Sequence, residues 1–258
     1  MKRTTKQIVY GSFYAVLWIL IFYGLYRVAI RPAPSCVDTI RNRDEVDVDC
    51  GGQYCISCEV KRLLPIQFSQ LKQLTTPDGL HTSIVVEIRN PNAGYGTEQF
   101  SFRIGLYGTS SQPLAAFDDV LSVYPGEVKY RLIVNAPFLP GSVSAITATS
   151  TRPINWRPIT EFAKPKMPMR DVKTLYGADS GRAVITGIVK NDNPFAVTQA
   201  TINAIVATRD GAIVAVSKTA VRDLIASEER FFQIIVPLPA SAQQSELVDA
   251  KVFVDVQR

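Results

Sequence analysis

The sequence predicts a mainly β protein. It opens with a single N-terminal transmembrane helix, continues through a small disulfide-rich segment and ends in two tandem antiparallel β-sandwiches. Three observations predict this. A long uncharged apolar run lies near the N-terminus, all four cysteines crowd into one short stretch, and apolar and polar residues alternate through much of the remainder. The expected division is 1–31 for a cytoplasmic tail and the helix, 32–60 for the cysteine segment, 61–163 for the first sandwich and 164–258 for the second.

Ile8 to Tyr26 carries no charged side chain. At the helical rise it spans about 28 Å, close to the roughly 30 Å hydrocarbon core of a bilayer. Val28, Ala29 and Ile30 extend the run past Arg27, whose long side chain can reach the interface. Tyr10, Tyr23 and Tyr26 stand near its ends, where amphipathic rings are favoured. The lipid bilayer is thus the expected partner of residues 8–30. A cleaved signal peptide normally has an apolar region of only about 7–15 residues and a small-residue cleavage site. The RPAPSC stretch that follows here is a poor one. Lys2, Arg3 and Lys6 before the run nearly balance Arg27, Arg31, Arg41 and Arg43 after it, so flanking charge leaves the orientation open.

The cysteines settle the expected side. Cys36, Cys50, Cys55 and Cys58 are the four in the chain. An even number clustered beyond an anchor points to two disulfides in an oxidising compartment, and the pairing is open. A four-cysteine zinc site would normally offer two C-x-x-C knuckles, whereas only Cys55–Cys58 has that spacing. A redox C-x-x-C would need a strand-to-helix context, and this one follows the Gly51–Gly52 turn. Between the cysteines, Asp38, Asn42, Glu45, Asp47 and Asp49 supply hard oxygen atoms of the kind that calcium takes. Their spacing is not that of an EF-hand. A solvated loop of turn-forming acidic residues is the expected reading, with calcium the alternative.

This stretch resembles a cysteine module of secreted and surface proteins with the form C-x-D-G-I-x-N-x-x-E-x-x-x-D-C-G-G-x-C-x-x-C. Asp38, Ile40, Asn42, Glu45, Asp49, Cys50, Gly51 and Gly52 match it. Thr39 replaces its glycine, and one extra residue precedes Cys55. The resemblance implies an extracytoplasmic disulfide knot.

Beyond residue 60 the period is two. Phe100, Phe102, Ile104 and Leu106 alternate with Ser101, Arg103 and Gly105, and Phe232, Ile234 and Val236 line up at the same spacing, as do Val252, Val254 and Val256. The chain also repeats itself. Ile84–Asn92 aligns with Ile185–Asn193, and Phe100, Phe102 and Ile104 align with Ile202, Ala204 and Val206. Tyr130, Leu132, Val134 and Pro137 align with Phe232, Ile234, Val236 and Pro239. Two copies of about ninety residues, each with about seven short strands, predict two sandwiches. Arg152–Pro158 and Lys164–Pro168 form a proline-stiffened connector, with Trp156 placed to pack on the end of the first sandwich.

Both copies resemble the FxLyD type of immunoglobulin-like domain, common in prokaryotic envelope proteins. In the second copy Gly187–Asn191, Asp210–Gly211, Glu228–Glu229 and Phe232 fit that outline. In the first, Val86–Asn90, Leu106–Tyr107, Pro125–Gly126–Glu127 and Tyr130 fit. Gly108 stands where the Asp would be, and Thr208 and Arg209 depart from the pattern. The resemblance implies immunoglobulin-like sandwiches and no known chemistry.

Nothing in the sequence assembles a catalytic constellation, and no enzyme is expected. His81, the one histidine, sits in a turn. Ser69-x-x-Lys72 lacks its companion motifs. The neighbours Asp118–Asp119 and Glu228–Glu229 point to opposite faces on a strand. The net charge of +5 is spread without a basic run, so no nucleic acid is expected, and no small-molecule substrate is evident. The expected function is that of a non-enzymatic, single-pass cell-envelope protein, N-terminus cytoplasmic, displaying its sandwiches to an envelope protein partner or as a spacer. Asn90, Pro91, Asn92, Asn191, Asp192 and Asn193, in corresponding loops, are the candidate interaction residues. An accessory subunit of a secretion or pilus-type assembly is the alternative, and a cytoplasm-facing zinc protein a further one. No cofactor is expected beyond that calcium.

Overall fold

The computed structural model describes residues 3–27, 35–177, 181–240, 242 and 246–257. The chain forms two compact units, Met1–Leu63 and Leu64–Arg258.

In the first unit, helix α1 runs Arg3–Leu25. Its segment Gln7–Leu25 is long and apolar enough to cross a membrane, and its side chains are exposed. A polar group inside such a helix must find its partner within it, and the Ser12 hydroxyl donates back to the Ile8 carbonyl at 2.7 Å. Val28, Ala29, Ile30 and Arg31 lie outside the described residues. Farther on, α2 (Cys58–Lys61) is a single turn, capped by the Ser57 side chain accepting from the Val60 N–H. One turn is too short to show a period in the sequence.

The second unit is all β. Strands β1 (Gln67–Thr75), β2 (Thr82–Arg89), β3 (Tyr95–Tyr107), β4 (Pro113–Val123), β5 (Val128–Ala136), β6 (Ala145–Ser150) and the two-residue β7 (Arg157–Pro158) build the first sandwich. Its sheets are β1-β2-β5 and β4-β3-β6, with β7 paired to β3. The second sandwich repeats this with β8 (Met169–Gly177), β9 (Arg182–Lys190), β10 (Val197–Ala207), β11 (Ile213–Leu224), β12 (Glu229–Pro237) and β13 (Lys251–Gln257). Its sheets are β8-β9-β12 and β11-β10-β13, and all pairings are antiparallel. Each copy therefore has six main strands rather than about seven. Pro137 and Pro140 follow β5, and Pro237 ends β12 with Pro239 just beyond it, where they withhold ladder donors.

Each sandwich closes on its own core. Ile84, Val86, Ile88, Phe100, Phe102, Ile104 and Leu106 fill the first. Ile185, Val189, Ile202, Val206, Phe232, Ile234 and Val236 fill the second. Trp156 and Ile154 pack against the first core, and Phe162 stacks on Tyr124 with centroids 4.6 Å apart. The early part of the connector thus belongs to the first sandwich.

A third cluster joins the two. Val85 and Leu132, with Leu74, Tyr130 and Val134, leave the outer face of β1-β2-β5 and meet Ile205, Val216, Ile213 and Phe253 from β11-β10-β13. The sandwiches are thus stacked face to face, as packed sheets stack within a domain.

This stacking corrects the repeat alignment along β5. Ile84 pairs with Ile133, and Ile185 with Ile234, so Ile133 and not Leu132 is the counterpart of Ile234. Tyr130, Leu132 and Val134 face the second sandwich. Along β5 the side turned to the second sandwich, Tyr130, Leu132 and Val134, is the more apolar one, while the other side reads Lys129, Arg131 and Ile133, so alternation alone picks the wrong side as the core.

The edge strands β1 and β8 carry matching irregularities. Their registers shift between Ser69 and Lys72 and between Arg170 and Lys173. Gln70 and Asp171, at equivalent positions, have φ of 47° and 54°. Bulges of this kind twist an edge out of flat pairing geometry.

Candidate functional site

The cysteine segment is knotted as Cys36–Cys55 and Cys50–Cys58. Cys55 and Cys58 are not bonded to each other, so the C-x-x-C is not a redox pair in this state. All four sulfurs are committed, so none is a thiolate ligand for zinc. Among the described residues, one group converges as metal ligands would: Cys36, Glu45 and Cys55. Two of its three members share a disulfide.

The acidic residues organise the loop backbone. Asp49, almost fully buried, accepts from the Asp38 and Thr39 N–H groups at 2.9 and 3.0 Å. Asp38 accepts from the Ile40 N–H at 2.9 Å and the Asn42 amide at 2.8 Å. The Ile40 bond is the largest cause holding the Asp38 carboxyl below the usual range. Glu45 accepts from the Asn42 N–H at 3.0 Å. Asp47 takes the Val48 N–H and the Arg62 guanidinium, which hold its carboxyl low in that order. Thr39, at the module's glycine position, has φ of 60°, a left-handed conformation that a β-branched residue adopts at a cost.

The interaction-loop asparagines turn inward. Asn90 is 1% exposed and Asn191 fully buried. Asn90 Nδ2 donates to the Tyr95 and Tyr124 carbonyls at 2.7 and 2.9 Å. Asn191 Nδ2 donates to Phe195, Leu224 and Ile225. Asn92 and Asn193 then bridge to Leu64 and Lys166, each both donating to and accepting from that backbone. Glu127 and Glu228 close the same ends, accepting from the Tyr124 and Ile225 N–H groups. Of the six candidate residues, only Asp192 is exposed, and Pro91 and Asn92 are half-buried. The repeat of asparagines was visible in sequence. Their inward use was not, because partners such as Tyr124 and Leu224 lie over thirty residues away.

Charged groups the sequence reading did not single out gather where the sandwiches meet. A cleft of about 260 Å³ there is lined by Tyr124, Glu127, Lys129, Lys164, Phe253 and Asp255. Buried Lys129 donates to the Ser122 carbonyl at 2.5 Å and to Asp255 at 2.8 Å, and lies 3.6 Å from Glu127. Lys164 meets Glu127 at 2.8 Å. Tyr130 donates to Glu87 at 2.8 Å, which also takes the Ser69 hydroxyl. Burial, then the Glu87 bond, pushes the Tyr130 phenol up to about 12. Farther along, burial and then Arg131 push the Lys218 ammonium down. Both ammonium groups of the cleft already face carboxylates, so the cluster serves as a polar clasp between sheets.

The remaining chemical candidates are separated. His81 Nδ1 lies 2.7 Å from Asp78 on an exposed turn. Asp118 pairs with Arg103 and Asp119 with Arg131. Glu228 pairs with Arg230 and Glu229 with Arg170.

No family model and no curated protein matches this chain. Among solved structures, it is similar to the crystal structure of red sea bream transglutaminase at 12% identity, with a TM-score of 0.26. The match covers 76% of this chain and 32% of that one, so the chain spans about a third of that protein's length. At that TM-score the likeness carries no argument about function.

Proposed function

We propose that this chain is a non-enzymatic, membrane-anchored envelope protein. It holds its paired sandwiches outside the cytoplasm, as a spacer and as a surface for another protein. The observation that carries this reading is the doubly disulfide-bonded segment Cys36–Cys58, placed soon after a helix of membrane-spanning length. Such bonds persist in oxidising compartments, so the N-terminus faces the cytoplasm. The resemblance to FxLyD-type domains supports the same role. The apolar joint between the sandwiches suits a spacer, because it removes a hinge that a bare linker would leave.

Thiol labelling of intact cells with a membrane-impermeant maleimide tests it. Labelling of the four cysteines only after addition of a reductant is the expected result. Labelling that needs cell lysis and no reductant would overturn the orientation and return zinc to the cluster.

A further inference from the structure

We propose that Lys129 and Asp255 condense to an amide, with Glu127 carrying the proton, so that a covalent cross-link joins β5 of the first sandwich to β13 of the second. The ion pair in the structure is the state from which that bond forms. Lys129 is the one buried lysine among the described residues. Its Nζ lies 2.8 Å from Asp255 Oδ1, and its side chain is 8% exposed. Glu127 Oε2, on a side chain 5% exposed, lies 3.6 Å from the same nitrogen. An amine, a carboxyl group to acylate it and a second carboxylate thus meet in one place, two of the three shielded from bulk water.

The surrounding strands hold these groups in place. Tyr130 follows Lys129 on β5, Phe253 stands two before Asp255 on β13, and their rings pack with centroids 5.0 Å apart. The Tyr124 ring centroid lies 5.8 Å from Lys129 Nζ. The Tyr124 N–H orients Glu127 by donating to Oε2 at 3.0 Å. Well-oriented intramolecular reactions reach effective molarities on the order of 10⁵ M or more, and the pair here is already in contact. The second repeat supplies the contrast. There Arg230, opposite Val189, is the counterpart of Lys129, opposite Ile88, and it pairs with Glu228, the counterpart of Glu127. A guanidinium keeps its proton and cannot attack a carboxyl group. The side chain that can attack stands in the repeat that meets a carboxylate of its neighbour.

The step needs no cofactor and no oxidant. A proton passes from Nζ to Oδ1 along their hydrogen bond, leaving a neutral amine and a carboxylic acid. Burial narrows the gap between this neutral form and the ionic one, because charges out of water are costly. Nζ then attacks Cγ. Glu127 takes the proton that the nitrogen sheds and delivers it to the departing hydroxyl. The Cγ–O bond breaks, one water leaves, and Glu127 ends as it began. One positive and one negative charge vanish together. Lys164 also meets Glu127 at 2.8 Å, but its side chain is 55% exposed, so its ammonium is open to water. This inference stands apart from the compartment the chain occupies.

The test is the intact mass of the full chain, purified in detergent, then reduced and alkylated. The expected mass is one water below that of the alkylated sequence, and a protease digest should contain a branched peptide joining Lys129 to Asp255. Lys129→Arg keeps the positive charge and should have the full mass of its own sequence. Glu127→Gln keeps an oxygen for the Tyr124 N–H but cannot carry the proton, and should form the bond about a hundredfold more slowly after refolding. An unchanged rate in that variant would remove Glu127 from the step. An unsubstituted chain of full mass after prolonged incubation at neutral pH would overturn the proposal. So would a water loss that persists in Lys129→Arg or maps to another pair, such as Lys164 and Glu127.

Discussion

Lys129 Nζ lies 2.8 Å from Asp255 Oδ1, an ion pair that ties β5 of the first sandwich to β13 of the second. The lysine is almost fully buried and the aspartate only partly so. That asymmetry fixes what each substitution does. Asp255→Ala leaves the buried ammonium with the Ser122 carbonyl and the more distant Glu127 and should cost about 1–3 kcal/mol. Lys129→Met leaves the acid access to water and should cost less. Chemical denaturation of both variants checks the order, and equal losses would contradict it.

Asn90 is the sharper structural test. Its amide donates to two backbone carbonyls in a buried site, so Asn90→Ala removes both bonds at a cost of about 1–3 kcal/mol. Asn90→Asp should be no better despite its matching shape, because an ionised carboxylate cannot donate to a carbonyl. A fall in thermal midpoint for both is expected. If Asn90→Asp is as stable as the unsubstituted chain, the donor role assigned here is wrong.

Tyr130 makes stability depend on alkaline pH. An unfolded tyrosine ionises near pH 10 and this one near about 12. The folded state therefore keeps a proton that the unfolded state loses. The resulting stabilisation is complete below pH 10 and disappears as pH rises through 12. Ultraviolet titration should show one phenolate forming late, absent in Tyr130→Phe, and the variant should lose that part of the pH dependence.

At Thr39 the backbone is left-handed where the resembling module has glycine. Thr39→Gly should relieve about 1 kcal/mol of strain, less the added freedom of glycine in the unfolded chain. Slower amide exchange of Thr39 and its neighbours, held by Asp49, is the expected readout. Faster exchange would mean that the threonine side chain contributes more than its conformation costs.

Much of this architecture was legible in sequence because single physical demands wrote it. The uncharged run from Ile8 to Tyr26 has the length and apolarity of a membrane-crossing helix, and a one-sided strand requires the alternation from Phe100 to Leu106. Legibility failed where two demands fall on one strand. Leu132 answers to the neighbouring sandwich and Ile133 to the local core, and the side of Leu132 is the more apolar because Lys129 and Arg131 share the side of Ile133, so the phase of β5 was misassigned. The clasp around Lys129 was unreadable for a related reason. Asp255 of β13 becomes its neighbour only once the sandwiches stack. Asn90 and Asn191 stood out, but an asparagine after a strand looks the same whether it meets solvent or holds its own loop closed.

The twin bulges at Gln70 and Asp171 bear on behaviour at high local concentration. Proteins held at high local density meet edge to edge far more often than in dilute solution, and a flat strand edge would recruit its neighbour into a growing ladder that never closes. By spoiling that register at the same place in both repeats, the chain can be packed densely while staying out of fibrils.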